Sequence, residues 1–140
     1  MDDGEKLTSL MSSDGRIFQV EDTVIAEFRG IHHFLPAAGD AAIPISQITG
    51  DVLAKIIDHC RCHIDHKFNL LGDEAISAWD RHLVNVDEKT LIDLLVASHF
   101  LGVKDLFTLI MVSVADMMKQ KSVGSMDQLR NLLVFNCRLD

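Results

Sequence analysis

The sequence predicts an α/β fold in one domain, a small sheet near the N-terminus flanked by helices that follow it. Three observations predict it. Two short strand-like segments, residues 7–11 and 16–21, lie on either side of the turn signal Asp14-Gly15. After Asp22 the apolar residues recur at steps of three and four, and the same helical spacing returns in later segments. Finally, 48% apolar content with two prolines in 140 residues argues for a packed core and against disorder. A chain of this length buries roughly two-thirds of the surface exposed by its unfolded form. It should fold without metal or disulfide staples.

Taken in order, the strand pair is followed by a predicted helix carrying Val24, Ile25, Phe28, Ile31, Phe34 and Leu35, with Asp22 or Thr23 as its cap. Gly30 weakens this helix and Pro36 ends it. A small-residue loop, "AAGDAA", leads into "IPIS", an extended segment in which Pro44 favours an edge strand. No internal repeat is present.

The segment "DVLAKIIDHCRCHID" comes next, with Leu53, Ile56, Ile57, Cys60 and Ile64 on one helical face. Cys60 is then a small core hydrophobe. At about 100° per residue, Cys62 lands about 160° away from Cys60, so one helix cannot aim both thiolates at one ion. His59, His63 and His66 share a face at i, i+4 and i+7, with Cys62 beside them. A three-histidine site is geometrically open, but the spacing lacks closure, and histidines near a helix C-terminus are favoured by its dipole without any metal. The expectation is that His59, His63 and His66 lie on a solvated flank and hold no metal.

After a mixed stretch containing Trp79, Asp87 can cap a helix whose core face is Leu91, Leu94, Leu95, Ser98 and Leu101. Gly102 occupies the place of a C-terminal glycine. Asp105 can cap the next helix, in which Phe107, Met111, Val114 and Met118 form one stripe and Leu106, Ile110 and Met117 a second. A helix apolar nearly all round needs more than one core to cover it, and residues 126–135, "MDQLRNLLVF", offer one short amphipathic helix. An exposed apolar patch is expected, and such patches mark protein interaction. Packing of the first stripe against "LRNLLVF" is the competing reading.

Charge narrows the function classes. A net charge of −8 disfavours nucleic acid and anionic membrane as partners. Residues 106–118 are interrupted by Thr108, Ser113 and Asp116 and are too short to span a bilayer. The start "MDDGEK" is followed by no apolar secretory segment, and three cysteines, an odd number, fit a reducing compartment. An intracellular chain is expected. No G-x-S-x-G, P-loop or H-E-x-x-H arrangement is present. The pairs Asp73-Glu74 and Asp87-Glu88 are adjacent and point to different sides of any helix. Neither catalysis nor a cofactor is expected.

The ordered motifs "SSDGRIFQVE", "IPIS", "KIIDHCRCH", "WDRHLVNVDEKTLIDLLVASHFLGVKDL" and "VADMMKQKS", over about residues 6–122, resemble the Skp-one-like adaptors of SCF ubiquitin ligases, plant members above all. The resemblance implies a BTB/POZ-like domain over residues 1–104 and a helical extension over 105–140 that binds an F-box protein. It implies a chain of the nucleus and cytoplasm that bridges a cullin scaffold and an F-box protein in ubiquitin-dependent degradation. The F-box face falls on Phe107, Met111, Val114 and Met118. The family's "AANYL", which faces the cullin, reads "ASHFL", so the cullin face falls on His99 and Phe100. The same family carries a similar cysteine and histidine pattern without using it for metal. After "DQLRNLL" the family's final helices are replaced by "VFNCRLD", which implies a shortened F-box-binding region. Two other readings stay open: a diverged BTB-type protein that has lost F-box binding and weakly self-associates or binds only a cullin, and a small metal-binding regulator.

Overall fold

A computed structural model describes residues 7–34 and 41–119. Strands β1 (Leu7–Met11) and β2 (Ile17–Glu21) form the expected antiparallel hairpin, in register from Leu7 opposite Glu21 to Met11 opposite Ile17. Gly15 turns the chain at φ +86°, a conformation that favours glycine. Strand β3 (Ile43–Pro44) pairs in parallel with β1, giving the order β2-β1-β3. Pro44 therefore lies on an edge, as its missing N–H requires.

The helix expected after Asp22 is broken. Helix α1 (Asp22–Ile25) is four residues long, with Glu21 rather than Asp22 or Thr23 at its N-cap, and a 3₁₀ segment (Arg29–Phe34) follows. The apolar spacing was read correctly, since Val24, Ile25, Phe28 and Ile31 are all buried. Within the 3₁₀ segment the backbone presses against another helix, since a Cβ on Gly30 would sit 2.1 Å from the Phe100 carbonyl oxygen, and the segment is shaped to that contact. Leu35 lies outside the described residues.

Helix α2 (Gly50–Lys67) buries Leu53, Ile56, Ile57 and Cys60 as predicted. Its N-cap Thr49 makes no side-chain cap; instead the Gly50 N–H donates to the Asp14 carboxylate at 3.0 Å, from the hairpin turn. Arg61 then clasps Glu21 with both its Nε and Nη2, at 3.1 and 2.9 Å, tying α2 to the end of β2. Helix α3 (Asp73–Val84) occupies the stretch read as mixed. Its signals were acids in the first turn, Arg81 and His82 in the last, and Ile76 and Leu83 buried two turns apart.

Helix α4 (Glu88–Leu101) has Asp87 at its N-cap position and ends on Gly102 at φ +74°. The Gly102 and Val103 N–H groups both donate to the Ser98 carbonyl, at 3.0 and 3.1 Å. Helix α5 (Lys104–Lys119) starts one residue before Asp105. Its Leu106, Ile110, Val114 and Met118 join the same core as Leu10, Val20, Phe28, Leu53 and Leu94. Residues 120–140, with the helix expected at "MDQLRNLLVF", lie outside the described residues. Among the described residues no helix is long and apolar enough to cross a membrane.

Candidate functional site

The α4–α5 corner carries the residues assigned to partner contact. Gly102 reverses the chain there, and α5 starts two residues later. The turn brings His99 against Phe107, ring centroids 5.6 Å apart and planes at 47°. These two rings, with Arg29, Gly30, Lys104 and Thr108, line a cavity of about 480 Å³ that opens to solvent. Arg29 and Lys104 are exposed at its rim. The groove thus has an aromatic floor and a cationic edge, a form suited to an apolar anchor flanked by acidic groups. Neither Arg29 nor Lys104 was singled out from sequence, because their nearness depends on the contact between Gly30 and α4.

His99 and Phe100 separate in role. His99 is half-buried in the groove wall, whereas Phe100 is half-buried but packed against the core, and its carbonyl forms the surface on which Gly30 rests. The four-residue stripe of α5 also divides. Val114 and Met118 are 1% and 3% exposed and face the core, Phe107 is half-buried, and Met111 is 36% exposed. Core burial follows Leu106, Ile110, Val114 and Met118, a line rotated from the predicted stripe. Phe107 and Met111, with Val112 at 57% exposure, are what α5 offers outward.

The histidine segment differs from its expectation. His59 is buried, not solvated, with its side chain 2% exposed. Burial, then the charge of His63, pushes its pKa down to about 4, so the ring is neutral at physiological pH and its approach to Asp80 at 3.6 Å is not an ion pair. His63 Nε2 lies 2.8 Å from Asp80 Oδ1, in hydrogen-bonding range. His66 turns elsewhere: its Nδ1 lies 2.9 Å from the Leu71 carbonyl and its Nε2 3.3 Å from Asp73. The three histidines therefore do not converge. His59, His63 and Asp80 do, with one donor atom from each lying within 4.8 Å of the others, and they are the grouping suited to a metal among the described residues. Asp80 was missed because it stands on α3, and no local pattern links it to α2. Cys60 is inert by comparison, burial pushing its thiol up to about 12.

Comparison with known proteins adds to this geometry. The family model for the Skp1 family, tetramerisation domain, matches residues 6–65. SKP1-like protein 3 of Arabidopsis thaliana is 34% identical over 142 residues, covering 94% of this chain and 87% of the relative. SKP1-like protein 1A of the same plant is 33% identical, covering 81% of this chain and 76% of the relative. SKP1-like protein 1 of Oryza sativa subsp. japonica is 34% identical, covering 84% and 79%. The similarity thus runs well past the hairpin and α2 into the helices that form the groove.

Proposed function

The chain belongs to the Skp1 family, and on that premise we propose that it is a non-enzymatic adaptor of an SCF-type ubiquitin ligase, joining a cullin scaffold to an F-box protein. The observation that carries the reading is the α4–α5 groove. His99, assigned to the cullin, and Phe107, assigned to the F-box protein, meet in it as a tilted ring pair. Two partners engaging neighbouring parts of one rigid corner are held at a fixed mutual angle, which is what an adaptor must supply. The cationic rim of Arg29 and Lys104 would meet acidic groups of the cullin, and Met111 with Val112 would meet an apolar helix of the F-box domain.

The burial of Val114 and Met118 favours one alternative, a chain that holds the cullin and engages F-box domains over a reduced apolar area. Gel filtration and calorimetry with a cullin N-terminal domain and an F-box domain, singly and together, test both readings. A ternary complex is the expected outcome. Cullin binding with a weak F-box affinity would support the alternative, and binding to only one partner or to neither would refute adaptor function.

A further inference from the structure

We propose that His59, His63 and Asp80 form a binding site for a divalent cation of the zinc class, clipping α2 to α3. The expectation of no metal was drawn from the spacing within α2 and from the family's similar pattern; the third histidine of α2 indeed lies apart, with Asp73 and the Leu71 carbonyl. Asp80 is the ligand that one helix could not provide.

Three observations support the site. His59 and His63 stand at i and i+4, the sequence spacing at which two imidazoles reach one ion from one helix face, and their rings are in contact with centroids 4.1 Å apart. The donor atoms are His59 Nδ1, His63 Nε2 and Asp80 Oδ1, with Asp80 at 3.6 and 2.8 Å from the two nitrogens. A tetrahedral zinc site with bonds of about 2.0–2.1 Å sets its ligand atoms about 3.3 Å apart, so small side-chain rotations bring all three into range. Independently, His59 Nδ1 is buried and makes no hydrogen bond among the described residues. A buried polar atom without a partner is uncommon and costs stability. Metal ligation would satisfy it.

The two histidines can be approached from solvent: His59 and His63, without Asp80, line a cavity of about 330 Å³ together with Glu27, His66, Lys67 and Asp105. Water entering it can take a fourth position. Two imidazoles with one carboxylate suit zinc, cobalt or nickel rather than calcium or magnesium, which prefer oxygen alone. Coordination replaces the His63–Asp80 hydrogen bond. A ligating His63 carries its proton on Nδ1 and presents the Nε2 lone pair to the ion.

The test uses tag-free protein, titrated with Co²⁺ for its visible spectrum and with Zn²⁺ in competition, and melted with and without Zn²⁺. One ion per chain should bind, and Zn²⁺ should raise the melting temperature. Asp80→Asn and His63→Gln should each weaken binding by more than about 100-fold, beyond the cost of losing an outer-shell partner, and abolish the thermal shift. Both positions are partly exposed, so folding of each variant can be confirmed by circular dichroism. His66→Gln and Cys62→Ser should bind as the parent does. The proposal is overturned by the absence of saturable binding, by full binding in both Asp80→Asn and His63→Gln, or by loss of binding in His66→Gln or Cys62→Ser.

Discussion

Replacing Gly30 with alanine tests the packing on which the groove depends. The added Cβ would stand 2.1 Å from the Phe100 carbonyl oxygen and 2.9 Å from the Leu101 carbonyl carbon, whereas ordinary contact starts at 3.4 Å. One backbone must retreat by roughly 1.3 Å. Neither can do so freely: α4 is anchored by fully buried Leu94, Leu95 and Leu101, and the 3₁₀ segment by Phe28 and Ile31. Gly102 closes the other side, since a Cβ there would meet the Gly30 nitrogen at 2.6 Å. Overpacking of a core commonly costs about 1–3 kcal/mol, and a clash between two backbones belongs at or above the upper end. We expect Gly30→Ala to lose at least about 3 kcal/mol, a large part of the ~5–15 kcal/mol that holds a domain together. Urea unfolding measures it, with Gly72→Ala as control. Nothing lies within 4 Å of a Cβ at Gly72, and the change there should cost only about 0.5–1 kcal/mol, from its place at the N-cap of α3. A loss below about 1 kcal/mol for Gly30→Ala, at unchanged denaturant slope, would show that the contact is soft and that the groove does not depend on it.

Three further outcomes are expected. His99→Ala should weaken cullin binding with the melting temperature nearly unchanged, while Phe100→Ala, which uncovers core surface, should cost about 1–3 kcal/mol by the same urea assay. Met111→Glu should weaken calorimetric binding to an F-box domain and leave the fold intact, whereas Val114→Asp should unfold the chain by circular dichroism because that side chain is 1% exposed. The Arg61 guanidinium holds the Glu21 carboxyl below its ordinary value of 4.5. A lowered carboxylate contributes stability that is present above 4.5 and lost as the pH falls below it. The pair is partly exposed, so Glu21→Gln should cost about 1 kcal/mol or less at neutral pH and remove that acid-side loss in pH-dependent melts.

Much of this architecture was legible in the sequence because it is written in local signals. Asp14-Gly15 marks the hairpin, the face from Leu53 to Cys60 marks α2, and Gly102 marks the end of α4. What was not legible depends on distant contacts. The helix after Asp22 gives way to a 3₁₀ segment whose Gly30 packs on Phe100, and nothing near Gly30 announces that contact. In α5 nearly every sector is apolar, so periodicity alone could not decide that Val114 and Met118 turn inward while Met111 turns out. His59 was assigned to solvent from its place near a helix end, yet it sits against α3, whose Asp80 is the partner of its neighbour His63. Residues of chemical interest gathered where two helices cross, and a helical wheel carries no record of crossings.

The carboxylate of Asp14 also bears on how the chain comes together. It belongs to a hairpin turn, yet the amide that it satisfies opens α2, 36 residues later. Beside it the Ser13 N–H donates to the Ile48 carbonyl at 2.8 Å, and Arg16 pairs with Asp51 at 3.0 Å. The first turn of α2 is therefore incomplete until the hairpin has formed and docked, and the hairpin gains these bonds only when the helix is present. Hairpin and helix form one cooperative unit. Opening the turn is therefore expected to fray the first turn of the helix as well, and amide exchange measured at both should report one opening event instead of two independent ones.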